Sequence, residues 1–342
     1  MVELAHEVLA GEEAWLVGGA LRDELLGRPV VDVDVACRRP EEAARAYARR
    51  IGGAPFPLSE QHGAWRVVLA DGRTVDFTPL RGTIDADLAT RDFTVNALAR
   101  PLAGGEIVDP SGGLEDIALR SLRAVTETIF EDDPLRLLRA VRLEGELGFR
   151  LAPLTEELVR AHAEFAPRPA GERILAELER LSPAGFRRLD ELGLLAPLGG
   201  SLERGELLEA FGSADFRLAV VFGPELRRYP ISNERKRLLR ALLRAERPPN
   251  GSARAIHRFR RATEPWALEA LAFVGAPELA PAVEAARAAD PDEPLLRGDE
   301  LGLPPGPEIG WLLALVEEER AAGIISTREE ALELVRRAVS GA

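Results

Sequence analysis

Short runs rich in β-branched residues, bounded by Gly, Pro or Asp, occupy residues 14–18, 30–36, 65–70, 73–80 and 106–108, and predict strands. Between them, "ALRDELLG" (20–27) and "PEEAARAYARRIG" (40–52) read as helices, the second opening on Pro40 and closing on Gly52. The first 115 or so residues are therefore α+β. After "IVDPSGGLEDI" (107–117) the strand signal nearly vanishes. "DDPLRLLRAVRLEGELG" (132–148), "TEELVRAHAEF" (155–165), "GERILAELERL" (171–181), "FRRLDELGLL" (186–195), "ERKRLLRALLRA" (234–245) and "REEALELVRRAVS" (328–340) all carry apolar residues at helical spacing. The expected architecture is a mixed head over 1–117 and an all-helical remainder: a neck (118–181), a body (182–250) and a tail (251–342). "ERPPNGSA" (246–253) and "PGPEIG" (305–310) are expected turns or hinges.

The same alternation raises the first chemical question. On a strand, Asp32 and Asp34 project to one side while Val31, Val33 and Val35 face the core. A solvated edge strand accounts for such a pair. So does a pair of Mg²⁺ ions about 3.5–4 Å apart, which needs bridging oxygen ligands; Asp76, in the strand-like "RTVDFTPLR" (73–81), supplies a third carboxylate. Gly18 and Gly19 sit between a strand and a helix, where bare N–H groups can cradle a phosphate, and Arg22 falls in the following turn. Neither a dinucleotide-binding fingerprint nor a Walker A loop is present.

Composition narrows the class. A chain of 342 residues, 46% hydrophobic and 30% charged, is expected to be soluble, globular and built of more than one domain. The lone Cys37 excludes an internal disulfide and a cysteine-based zinc cluster. No apolar run approaches a membrane span, and the acidic N-terminal stretch argues against a secretory leader, so the reading is cytoplasmic. The net charge of −13 argues against indiscriminate nucleic-acid binding. Yet residues 226–262 hold twelve Arg or Lys against two Glu, a local +10 that leaves −23 elsewhere. That block reads equally as a phosphate-tracking surface or as a solvated helix face. Arg235, Lys236 and Arg237, with Arg258, Arg260 and Arg261, are its candidate RNA contacts, and Ser232 or Asn233 its helix cap.

Taken in order, the motifs resemble those of the class II tRNA nucleotidyltransferases, the CCA-adding enzymes, which share a catalytic head with bacterial poly(A) polymerases in the polymerase-β-like superfamily. The stretch 14–36 resembles the first motif. "TRDFTVNALA" (90–99) resembles the Arg-Asp-x-x-x-Asn-Ala motif, and "IVDPSGGLEDI" the turn between head and neck. "DDPLRLLRAVRLEGELGF" resembles the Glu-Asp-x-x-Arg helix, and "GERILAEL" the neck motif after it. The likeness covers residues 14–180; beyond that it is one of general helical character.

The resemblance implies attack by an RNA 3′-hydroxyl on the α-phosphate of a nucleoside triphosphate, with two Mg²⁺ ions held by Asp32 and Asp34 and completed by Asp76. It assigns Gly18, Gly19, Arg22 and Arg91 to the triphosphate, Asp92 to the ribose, and Asn96 to support of that turn. It also assigns Asp133 and Arg136 to the edge of the incoming base, with Arg139 and Arg142 pointing at phosphate. For cytosine that pairing is chemically sound: a carboxylate accepts from the exocyclic amine and a guanidinium donates to the ring nitrogen or carbonyl. Read without the resemblance, Arg91-Asp92 is a helix cap with a paired charge, and the arginines at 136, 139 and 142 a ladder of ion pairs.

Two departures bear on the product. Asp132 stands where the family usually has Glu. Only nine residues, "GTIDADLAT" (82–90), separate Arg81 from Arg91, where members that finish with ATP carry a longer flexible loop. The short link resembles the CC-adding branch, which leaves the terminal A to a second enzyme. The expected partners are then the tRNA acceptor stem and 3′ end with CTP, ATP being the alternative nucleotide. The rivals are a full CCA-adding enzyme, a poly(A) polymerase, and a non-catalytic RNA-binding protein on the same fold. None of His6, His62, His162 and His257 is followed by Asp, so no His-Asp phosphohydrolase module is expected. His257 could contact RNA or be structural.

Overall fold

The computed structural model describes residues 1–59 and 63–340, which divide into two compact units, Met1–Leu198 and Gly199–Ala342. His62 lies outside the described residues. In the first unit, α1 (Val2–Val8) precedes β1 (Ala14–Val17), α2 (Gly19–Leu25), β2 (Asp32–Cys37) and α3 (Pro40–Ile51). Next come β3 (Pro55–Ser59), β4 (Ala64–Val68), β5 (Thr74–Pro79), α4 (Ile84–Leu88), β6 (Ala99–Pro101) and α5 (Gly113–Leu119). The six strands form one mixed sheet in the order β3-β4-β5-β2-β1-β6, with β2 and β5 parallel and every other pair antiparallel.

Alternation along β2 works as expected: Val33 and Val35 are buried, Asp32 is exposed and Asp34 half-buried. Each fully buried side chain of this size contributes about 1.5–3 kcal/mol relative to exposure. Val31, expected on the core side, is instead 54% exposed because the strand begins one residue later. The segment 106–108 is not a strand; only Val108 bridges to Ala99, and β6 takes the sheet edge. The proline-bearing β3 has no counterpart among the expected strands. An edge position tolerates Pro57 because no neighbouring strand needs its missing N–H.

The rest of the first unit is helical apart from one small pair. β7 (Ser121–Leu122) pairs in parallel with β8 (Arg150–Leu151) across α6 (Ile129–Asp132) and α7 (Leu135–Leu147). Then follow α8 (Pro153–Ala161), α9 (Gly171–Glu179) and α10 (Pro183–Glu191). The single helix expected over 132–148 is broken. Asp133 is extended (φ −145°, ψ 98°) and Pro134 starts the second piece, as the residue before a proline is steered away from helix.

The second unit comprises α11 (Ala214–Phe222), α12 (Asn233–Arg244), α13 (Ala253–Thr263), α14 (Ala267–Phe273), α15 (Ala280–Ala288), α16 (Pro307–Ala321) and α17 (Arg328–Ser340). Its far end closes over Leu296, Leu312, Val316, Ile325, Ala331 and Val335. Residues 245–252 are the expected irregular link, and Ser232 caps α12 by accepting from the Arg235 N–H. "PGPEIG" is not a turn throughout: Pro307 opens α16, where its missing N–H is no loss. Among the described residues, no helix is long and apolar enough to cross a membrane.

Candidate active site

Sheet register gathers the acidic residues. Asp34 lies directly across from Asp76 on the parallel β2–β5 pair, and Asp76 directly across from Arg66 on β4, so three side chains stand in one row. Arg66 forks onto both oxygens of Asp76, Nε to Oδ1 and Nη2 to Oδ2, each at 2.7 Å. Asp32 accepts from the Thr74 hydroxyl at 2.7 Å. Burial pushes Asp34 up to about 6; Arg91 opposes this, and the charges of Asp76 and Asp32 add to it. Among the described residues no three acidic, His or Cys side chains form a ready cage for a metal. That donor set still fits Mg²⁺, which is commonly held by one or two carboxylates plus substrate phosphates, and Asp32 and Asp34 both line the cleft.

The turn between β1 and α2 forms the opposite wall. Gly18 has φ +74° and ψ −141°, a conformation nearly confined to glycine, and a Cβ there would lie 2.9 Å from Arg91 Nη1 and 3.2 Å from Asp34 Oδ2. This glycine lets the backbone approach both the acidic row and Arg91. Arg91 donates through Nη2 to Asp87 at 3.1 Å, while its buried Nε has no partner among the described residues. A buried donor left free costs about 1–3 kcal/mol, so a ligand oxygen reaching it recovers that energy. Arg22, expected as a free fork for phosphate, is instead 8% exposed and bound to Asn96 Oδ1 at 2.5 Å and to Asp23. It lines the cleft while bracing the Asn96 turn.

Asp92 is the hub of that turn. Its Oδ1 accepts from the Phe93 N–H and Asn96 Nδ2, and its Oδ2 from Arg139 Nε and Nη2. Burial alone raises its pKa, but the Arg139 charge and these hydrogen bonds outweigh it and hold the carboxyl at about 2. Arg139 is thereby committed to Asp92 and does not point freely at phosphate. Arg142 departs further from expectation, being 5% exposed and paired with Glu177 and Glu146. Asp133 receives Arg173 from α9 and caps the Leu135 N–H; Arg136 donates to the Thr90 carbonyl at 2.7 Å. The Asp133–Pro134 break turns that carboxylate off the helix, and it lines the cleft with Arg136.

Every expected residue from Gly18 to Arg142 except Asp76 lines one cleft of about 940 Å³ within the first unit; Asp76 is instead held by Arg66, next to Asp34 in the sheet register. Sequence reasoning missed Arg66, Arg173 and Arg180. The first is legible only once strand register is known, the other two only once α9 is placed against α7.

The basic block separates into two halves within the second unit. On α12, Lys236, Arg237, Arg240 and Arg244 are exposed and, among the described residues, without an ion-pair partner, whereas Arg235 is buried against Asp215. On α13, Arg254 and Arg258 pair with Glu318 and Glu319 of α16, Arg260 with Asp290 and Glu264, and Arg261 with Glu317. Arg235, Arg258, Arg260 and Arg261, expected to meet RNA, therefore serve internal pairs. Half-buried His257 has no partner at Nε2 among the described residues, and burial lowers its pKa.

A glycine turn, a carboxylate row and an arginine-lined cleft on a small mixed sheet can hold a divalent cation and a phosphate side by side. Residues 14–123 match the family described as the poly A polymerase head domain. The chain is 47% identical to the CC-adding tRNA nucleotidyltransferase of Geobacter sulfurreducens over 50% of this chain and 40% of the relative. It is 44% identical to the A-adding tRNA nucleotidyltransferase of Deinococcus radiodurans over 58% and 48%. The chain thus spans less than half the length of these curated relatives. The structure of the Bacillus stearothermophilus CCA-adding enzyme in complex with CTP superposes with a TM-score of 0.73 at 28% identity, covering 99% of this chain and 96% of that one.

Proposed function

We propose that this protein is a tRNA nucleotidyltransferase of the CC-adding kind, extending tRNA 3′ ends from CTP and releasing pyrophosphate. The observation that carries the reading is the convergence of Asp32, Asp34 and the Gly18 turn on Arg91, whose buried Nε is unpartnered. A triphosphate seated against the Gly18–Gly19 backbone takes Arg91 as its charged fork, while Arg22 and Asn96 keep that wall rigid. Two Mg²⁺ ions held by Asp32 and Asp34 would supply activation of the attacking hydroxyl and stabilisation of the leaving phosphate's charge. The RNA 3′ oxygen bonds to the α-phosphorus, the bond to the β-phosphate oxygen breaks, and the hydroxyl proton leaves to solvent.

Base choice falls to Asp133 and Arg136. Asp133 accepts from the cytosine amine, and Arg136 donates to the ring nitrogen and carbonyl; uracil presents the reverse pattern and is refused. Asp92, kept ionised by Arg139, orients the Asn96 turn that meets the ribose. RNA phosphates meet the free face of α12.

The link after Arg81 supports CC addition. Residues 84–88 form α4, capped by Thr83, with Ile84 and Leu88 packed into a core cluster with Val17, Ala36 and Leu80. Asp87 ties it to the Arg81 N–H and to Arg91. These ties anchor the short link, which supports a pocket kept in one form for CTP. The name of the Geobacter relative agrees, whereas the A-adding Deinococcus relative favours ATP as the second reading.

The test is extension of two tRNA transcripts, one lacking the 3′ CCA and one ending in CC, with CTP, ATP or both. CTP should add two residues, and ATP should leave the CC end untouched. ATP extension of the CC end alone makes it an A-adding enzyme, and both activities a CCA-adding one. Long ATP tails move it to the poly(A) polymerases, and no extension leaves an RNA-binding protein.

A further inference from the structure

The third carboxylate is occupied. Asp76 is 6% exposed and both its oxygens are held by Arg66 at 2.7 Å, while Arg66 itself keeps a third of its side chain in solvent. Its Nη1 has no partner among the described residues, so the fork has spare donors on its open side. Guanidinium binds carboxylate and phosphate with the same two-pronged geometry. The partner across the row, Asp34, is half-buried beside Asp32, so a cation entering there gains from every additional free carboxylate oxygen.

We infer that Arg66 is a positioning residue that holds Asp76 away from the reaction until RNA arrives, and then exchanges Asp76 for the phosphodiester nearest the RNA 3′ end. The inference rests on the nucleotidyltransferase reading above and deepens it. In the free protein the acidic row offers two carboxylates, Asp32 and Asp34. With RNA bound, the fork turns to the phosphate, Asp76 is released, and the row offers three. RNA binding and divalent-cation binding are thereby coupled through one side chain, and linkage requires that each tighten the other. A cation bound without RNA meets an incomplete site, which limits attack by water on the nucleotide.

The experiment titrates Mn²⁺ into the nucleotide-free full chain and reads free Mn²⁺ by electron paramagnetic resonance, with and without a tRNA transcript lacking its 3′ CCA. Wild type, Arg66→Gln and Arg66→Lys are compared, Asp34→Asn serves as the blank for Mn²⁺ carried by RNA, and melting curves verify folding. Wild-type affinity should rise about fivefold or more when RNA is added, the lower end of ordinary coupling energies. Both Arg66 variants should bind Mn²⁺ more tightly than wild type without RNA and show no further gain with it. The lysine is decisive, since it keeps the charge and loses the fork. Lysine behaving like wild type, with only glutamine tighter, reduces Arg66 to a local charge and overturns the exchange. A gain with RNA that survives in both variants overturns it as well. Wild type indistinguishable from Asp34→Asn sinks the metal-site reading itself, a separate failure.

Discussion

At the scale of single residues, Gly18 and Asp34 make opposite demands on the chain. Gly18 needs both its φ of +74° and its missing side chain, whereas Gly11, at φ +82°, has nothing within 4 Å of an added Cβ. Gly18→Ala should lower stability by about 1–3 kcal/mol and abolish CTP binding, because the methyl meets Arg91 and Asp34. Gly11→Ala should show the backbone cost alone; thermal melts and equilibrium CTP binding distinguish the two. Asp34 is a carboxyl whose folded-state pKa is raised to about 6. The folded state therefore holds its proton more tightly than the unfolded chain. Its contribution is intact at low pH and is lost as pH rises from the ordinary carboxylate range through about 6. In EDTA, Asp34→Asn should thus be more stable than wild type at pH 8, by order 1–3 kcal/mol, and equal to it near pH 4. Equal melts at pH 8 contradict the buried-carboxylate account. That the residues singled out would gather at one cleft was legible through the resemblance of their motifs. What each one touches was not, since Arg66 meets Asp76 only through strand register and Arg142 meets Glu177 only through helix packing.

At the scale of elements, helices such as α3, α7 and α17 and the alternating strand β2 were legible because burial on one face imposes their period, whereas the 15-residue α16 was hidden behind an opening, PGPEIG, that reads as a turn. The break at Asp133–Pro134 was written in the sequence too, as an Asp-Pro pair, but the helical spacing on either side of it concealed it. β3 and β6 carry prolines and sit on sheet edges, where tertiary pairing rather than propensity decides. The basic block is the clearest case of two helices with one composition and different fates. Neutralising Lys236, Arg237, Arg240 and Arg244 on α12 should weaken tRNA binding and shallow its salt dependence by about one unit of log–log slope for each RNA phosphate left without a cation. Neutralising Arg258 and Arg261 should leave the slope unchanged and lower thermal stability instead, their charge being spent on Glu318 and Glu317. Binding isotherms at several salt concentrations measure both; a slope that falls equally in the two sets defeats the distinction.

For the whole molecule, a head with a helical remainder was legible, because strand-like runs stop near residue 115 and helical spacing takes over. The division into Met1–Leu198 and Gly199–Ala342 was not: it depends on which helices pack together, and the Pro197, Gly199 and Gly200 that mark it were passed over in favour of breaks near 181 and 250. The charge pattern gains meaning at this scale. Because α16 neutralises the α13 arginines, the basic block of an acidic protein of net charge −13 keeps, among the described residues, an unpaired stripe on α12. Lys236 and Arg244 lie about 12 Å apart along the helix axis, close to the Debye length of about 10 Å at 0.1 M salt. On the proposed reading, RNA that approaches the second unit is held along that short line. Floppy RNA, whose charges wander, loses more entropy in meeting that line than a stiff duplex that presents its phosphates in fixed order. If RNA binds there as proposed, the self-pairing of α13 works as a sieve that favours a duplex stem over floppy RNA before any base is read.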